Sequence, residues 1–404
     1  MRRLGLAALV AGTAIAAFGV GSVVFAREDA GPANAGDDGA PAVGQPASSA
    51  GTHNSAHPIA GYFEPDDTGI ADCEGDFACL EQAFGNLAYY EGPKPTLRVF
   101  DRMMGTDSAV EGNCHRIVHG IGSASLARYE GNVAKAFAEG SASCWSGYYH
   151  GILERAFVDA DPDDLGTISR RLCDDEGIRA TDYLAYQCVH GLGHGLMIYT
   201  GYNLPVSLGV CDELATDWDQ SSCTGGVFME NISSSYGFTS KWLKDDDPVY
   251  PCDSVKERHK YYCYLMVTSR ILQKNGYDWE KTSATCQDVE KDWIDICFQS
   301  FGRDASGSTR QNAGEILRLC ALGGRWEDDC VYGAARDITS NDAGARRERL
   351  LCERAAGALR PTCFNGIGTI LRGLSASKEE ARAACAAATT SYLSACLRGA
   401  GLAS

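Results

Sequence analysis

The sequence predicts an all-α fold, a solenoid of about nine disulfide-stapled helical hairpins with a period near 33 residues. Three observations carry this. Cys297, Cys330, Cys363 and Cys396 stand 33 residues apart, and each follows a partner (Cys286, Cys320, Cys352, Cys385) by nine or ten intervening residues. The frame runs upstream through Cys252/Cys263, Cys211/Cys223 and Cys173/Cys188, with Cys114 and Cys144 opening further helices. A glycine recurs three residues after the second cysteine, at Gly147, Gly191, Gly226, Gly333, Gly366 and Gly399. Glycine inside a helix costs up to about 1 kcal/mol relative to alanine, so its recurrence at one position implies that neighbouring helices approach closely there.

The first element is a targeting segment over residues 1–26. Arg2-Arg3 precede 23 uncharged residues, Leu4 to Ala26, which suit either a cleaved signal peptide or an uncleaved membrane anchor. Either way the rest of the chain lies outside the cytoplasm, and the membrane is met only through this segment. Residues 27–60, rich in Ala, Gly, Pro and Ser, have too few large apolar side chains to bury a core and read as a flexible stalk. Residues 61–404 form the repeat domain, with a His/Glu-bearing part at 110–240 and a His-poor part at 241–404.

Within the domain a helical cap is expected around Phe77 to Tyr90, and each later unit reads as helix, polar loop and second helix. The clearest unit is Ser377-Lys378-Glu379-Glu380-Ala381-Arg382-Ala383-Ala384-Cys385, where a capping serine precedes acidic first-turn residues and an alanine-rich run. Stacked units give a curved rod. The 18 cysteines, paired at short range behind an export signal, indicate an oxidising compartment. Pairing Cys73 with Cys79 and Cys114 with Cys144 is the simplest completion, although spacing alone leaves the connectivity open. Zinc knuckles are disfavoured by the absence of C-x-x-C pairs.

A net charge of −17, with no stretch both basic and aromatic, argues against nucleic acid as a partner. No Gly-x-Ser-x-Gly elbow, phosphate loop, dinucleotide fingerprint or His-Glu-x-x-His is present. The chemistry lies instead in the histidines. Six of eight fall between His115 and His259, and five of those six lie in three helices. His115/His119 and His190/His194 are spaced i, i+4, as are His150 and Glu154. That spacing puts both side chains on one helix face, where two prongs can grip one ion. Glu230 adds a carboxylate in the next unit.

One imidazole in a helix is commonly a packing group. Three paired placements in consecutive units, followed by none downstream, point instead to a metal or catalytic cluster. His115, His119, His150, Glu154, His190, His194 and Glu230 are therefore the expected ligands, with Glu154 or Glu230 as general base if the protein is an enzyme. Such a set suits zinc first, then copper or iron. Later repeats carry Arg270, Arg303/Asp304 and Arg336/Asp337 at these positions, which read as surface or inter-repeat ion pairs. His259 reads as structural, and His53 and His57 lie in the stalk. Tyr183, Tyr186, Tyr202 and their aromatic neighbours read mostly as packing, some as pocket wall.

The period, hairpin plan and cysteine staples over roughly 110–404 resemble cysteine-rich Sel1-like and other tetratricopeptide-like repeats, whose secreted members are also stapled by disulfides. The cysteine spacing is longer here and the Leu-Gly-x-Leu-Tyr pattern of those repeats is absent. The resemblance implies architecture and transfers no catalytic residue. The expected function is that of an exported metal-centre protein whose metal, if it is an enzyme, activates water or dioxygen upon an extracytoplasmic substrate. The alternatives are a non-catalytic scaffold for an extracytoplasmic protein, with structural histidines, and a metal storage or delivery protein.

Overall fold

The computed structural model describes residues 61–403, apart from 142, 236–238 and 342–345. The expected targeting segment and stalk, with His53 and His57, lie outside the described residues. No helix among the described residues is long and apolar enough to cross a membrane.

Helix α1 (Phe77–Glu91) caps the stack, with Asp76 accepting from the Cys79 amide at its N-terminus, and α2 (Pro93–Met103) follows. Four hairpins come next: α3 (Ser108–Gly112) with α4 (Cys114–Arg128), α5 (Val133–Phe137) with α6 (Ser143–Ala156), α7 (Leu165–Leu172) with α8 (Asp182–Tyr199), and α9 (Leu204–Asp212) with α10 (Asp217–Ile232). The next repeat departs from the plan. Its cysteine pair is carried by turns and by α11 (Glu257–Met266), which runs on into α12 (Thr268–Lys274). Regular hairpins resume with α13 (Trp279–Asp288) and α14 (Ile294–Ser308), α15 (Ala313–Cys320) and α16 (Glu327–Asn341), α17 (Arg346–Arg354) and α18 (Arg360–Leu374), and α19 (Lys378–Ala388) and α20 (Leu393–Gly399). Ser377 caps α19 as its sequence implies, its hydroxyl accepting from the Glu380 amide. No strand occurs among the described residues.

The second helix of each hairpin packs on the second helix of the next, forming an inner layer, and the first helices lie outside it. The core sits between the layers, where the cysteines from Cys188 to Cys396 are fully buried. All nine expected pairs are bonded, including 73–79 and 114–144, with Cα atoms 5.2–5.9 Å apart. No cysteine remains free, as suits an oxidising, extracytoplasmic environment. Closing a loop of this length contributes about 3 kcal/mol in the chain-entropy model, and several of the helices are too short to persist alone. Expression in a reducing cytosol is therefore expected to yield misfolded protein. Peptide mapping of the exported form should recover 286–297, 320–330, 352–363 and 385–396 as linked peptides, and free thiols there would contradict the staple arrangement.

The recurrent glycines mark where inner helices touch. A Cβ placed on Gly226 would lie 1.9 Å from the His190 carbonyl oxygen, one on Gly333 2.0 Å from that of Gln299, and one on Gly399 1.9 Å from that of Asn365. A second set, not read from the cysteine frame, faces the following helix: Gly122 against Tyr148, Gly193 against Cys223 and Gly302 against Cys330. Backbones this close leave no room for any side chain.

The inner layer does not stay open as the curved rod expected from the repeat frame. It curls until α6 meets α16 and α8 meets α18. Arg372 of α18 pairs with Asp182 at the start of α8 at 3.4 Å. The space between them is a half-open cavity of about 450 Å³ whose lining comes from both halves of the repeat array.

Candidate metal centre

Helices α4, α6 and α8 lie side by side in the inner layer, so their histidines form adjoining rows. Thr181 caps α8 by accepting from the Leu184 amide, which fixes the helix start two turns before His190. His119, His150, His190 and His194 are 1–2% exposed, and His115 is partly buried. Their ring nitrogens gather into two groups, His115/His119/His150 and His150/His190/His194, each within 4.8 Å and sharing His150. Buried histidine triads of this kind could hold a transition metal.

Four of the five rings have a named polar partner. Residues Cys144, Trp145 and Ser146 open α6 in the left-handed region (φ 48°, 55° and 61°), a conformation that costs of order 1 kcal/mol or more per residue. That turn presents the Cys144 carbonyl to His115 Nδ1 at 2.8 Å. A carbonyl only accepts, so the His115 proton sits on Nδ1 and its Nε2 carries a lone pair. His119 Nδ1 faces the Glu154 carboxylate at 2.7 Å, which likewise directs its Nε2 inward. The two Nε2 atoms stand 3.1 Å apart. Tetrahedral zinc with nitrogens at ~2.0–2.1 Å separates them by roughly 3.3–3.4 Å, so this pair is near a bidentate grip.

The same device recurs one repeat on. His194 Nδ1 bonds Glu230 Oε2 at 2.9 Å, while its Nε2 is buried without a hydrogen-bond partner. Glu230 is held in turn by the Tyr202 hydroxyl at 2.7 Å, the Ser235 amide at 2.9 Å and the Ser235 hydroxyl at 2.7 Å. His150 stacks on His194 with centroids 4.2 Å apart, and its buried Nδ1 also has no hydrogen-bond partner. His190 Nδ1 meets the Tyr186 hydroxyl at 3.2 Å. Orphaned ring nitrogens are rare in a folded interior, and two of them face a cluster of imidazoles.

Protonation favours ligation at His115, His150 and His190. Burial, reinforced by the neighbouring His119, holds His115 down at about 3. Burial and neighbouring imidazoles hold His150 and His190 well below the ordinary range, so these rings are neutral and their lone pairs available. Burial opposes the charge of His119, but the Glu154 carboxylate outweighs it and raises this ring. Burial would raise Glu230, yet the hydrogen bonds from His194, Ser235 and Tyr202 hold it at about 2, ionised.

Of the seven side chains expected as ligands, His115, His119, His150, His190 and His194 meet, while Glu154 and Glu230 stand behind two of them. Glu154 reaches across to His119 on α4 and does not pair with His150, its own i−4 neighbour. Sequence reading missed Ser235, which follows α10 in an unremarkable serine run, and the Cys144 carbonyl, which has no side-chain signal. His259 is buried and bonded to Asp212 Oδ1 at 2.9 Å, a structural role. Tyr148 and Phe228 are core, whereas Tyr183 and Tyr186 wall the cavity.

The downstream residues need correction. Arg270 does pair with Asp245 at 3.1 Å, and Arg303 pairs with Asp304 at 2.9 Å. Arg336 makes no such pair, and it lines, together with Arg303 and Asp337, the cavity that His150 and His190 also line. These are half-buried cavity-wall positions because the inner layer has curled onto itself.

The chain matches no family model, no curated protein and no solved structure, so its likeness to Sel1-like repeats rests on the plan of disulfide-linked hairpins alone.

Proposed function

We propose that this chain is an exported metalloprotein, secreted or anchored through residues 4–26, that uses a five-histidine transition-metal centre on a small molecule admitted to its central cavity. Zinc is the first choice of metal, copper or iron next. One observation carries the reading: the convergence of His115, His119, His150, His190 and His194 within two overlapping triads. Glu154 and Glu230 act through the rings behind which they stand, as positioning residues that fix the tautomers of His119 and His194. A bound metal would supply Lewis acidity toward water, or for copper and iron a route to dioxygen.

An enzyme is favoured over storage because His150 and His190 are at once members of the cluster and part of the cavity wall. A storage site needs no chamber for a second molecule. The test is elemental analysis of the untagged exported protein, purified with its disulfides intact after growth in metal-replete medium. At least one equivalent of zinc, copper or iron is expected. Glu154→Gln and Glu230→Gln should each weaken metal binding roughly 10–100-fold in a chelator competition, the usual effect of losing such a partner. A metal-free parent protein would turn the reading toward the binding scaffold.

A further inference from the structure

The cavity runs from His150 and His190 to a wall built by α14, α16 and α18, which carries Arg303, Arg336 and Arg372. Two of these cations are neutralised within the fold, Arg303 by Asp304 at 2.9 Å and Arg372 by Asp182 at 3.4 Å. Arg336 is not. Its Nη1 reaches the Tyr261 hydroxyl at 3.4 Å, its guanidinium carbon lies 5.5 Å from the Tyr332 ring centroid, and its Nε is buried with no hydrogen-bond partner. Arg336 is half-buried with its Nε fully so, and a guanidinium partly withdrawn from water without a counter-ion is costly, a cost that a carboxylate meeting its planar fork would offset. The neighbouring Asp337 carboxyl, raised by burial to about 6, lines the same cavity and limits the charge the wall will accept.

The rest of the lining is mostly apolar and aromatic, with Ser146, Gln187, Gln299, Ser340, Asn341 and Thr369 as its uncharged polar members. Tyr183, Tyr186 and Tyr262 line the chamber, and Trp145 and Trp218 do so while remaining 50% and 44% exposed. Exposed indole faces beside a half-open cavity suit the flat or apolar body of a ligand. Tyr186 joins the two ends: its hydroxyl meets His190 Nδ1, and the Arg336 charge is felt at its phenol.

We propose that the cavity binds a small organic acid, a single carboxylate on an aromatic or apolar body, with the carboxylate on Arg336 and the body directed toward His150 and His190. This rests on the metal-enzyme reading for its consequence, since such an acid would be that enzyme's substrate class, but its test is separate.

Titration calorimetry of the full exported protein, metal-free and zinc-loaded, would use benzoate, 3-phenylpropionate and 4-phenylbutyrate against their neutral amides. At least one acid should bind roughly tenfold or more tightly than its amide, in both forms of the protein. Arg336→Gln should abolish the preference and Arg336→Lys should retain part of it. The proposal is overturned if no acid binds at millimolar concentration, if acid and amide bind alike, or if the preference survives in Arg336→Gln. A preference seen only in the zinc-loaded form would also overturn it, because the acid would then be held by the metal. Should Arg336→Gln fail to fold, the comparison of acid and amide in the parent decides alone. Acid preference in a chain that takes up no metal would sustain the cavity and defeat the metal reading, and metal uptake without the preference would do the reverse.

Discussion

Replacing His190 and His194 together by alanine is expected to strip most of the metal from the purified protein, with affinity lowered by at least roughly a hundredfold. The two rings belong to one triad, and their loss leaves His150 as its sole member. Alanine is the best helix former, so α8 should persist, which far-ultraviolet circular dichroism will check. The comparison variant replaces Lys281 and Arg318, whose side chains are 69% and 64% exposed. Loss of two surface charges should leave metal content unchanged. Arg303 and Arg336 are unsuitable for that purpose because both line the cavity. Equal metal content in the two double variants would end the case for a histidine centre.

Gly333→Ala is expected to destabilise the protein by about 3 kcal/mol or more, or to prevent folding, although alanine is intrinsically the better helix residue by about 1 kcal/mol. The added methyl would sit 2.0 Å from the Gln299 carbonyl oxygen, and the obstacle is backbone that cannot turn aside. Gly209→Ala in α9 is the internal control. Nothing lies within 4 Å of its Cβ position, so the same change should raise stability slightly. Thermal or denaturant unfolding of both variants compares the signs. A harmless Gly333→Ala would mean that the inner helices are farther apart than described.

How much of this was legible in the sequence follows from the range of each interaction. The disulfides join residues mostly 10–15 positions apart, so their spacing exposed the hairpin period directly. The i, i+4 histidine pairs were legible because helix geometry alone aligns them. The partner of Glu154 was not: its choice of His119 over His150 depends on how closely α4 and α6 pack, which Gly122 and Gly151 permit by admitting carbonyl oxygens where a Cβ would stand. The cavity-wall position of Arg336 was least legible of all. It results from contacts between helices such as α6 and α16, which lie more than 170 residues apart, and no local pattern reports such a contact.

The meeting of α6 with α16 and of α8 with α18 also bears on how such a protein can change over generations. An open repeat array gains or loses a unit at little cost, because each unit answers only to its neighbours. Here the count of units between α6 and α16 sets which surfaces face each other, much as the number of staves sets the diameter of a cask. Duplication or deletion of a single hairpin between them would carry Arg336 away from the histidines while leaving every other staple and helix intact. Relatives that keep the chemistry are therefore expected to keep this unit count and to vary in length at the two ends of the array.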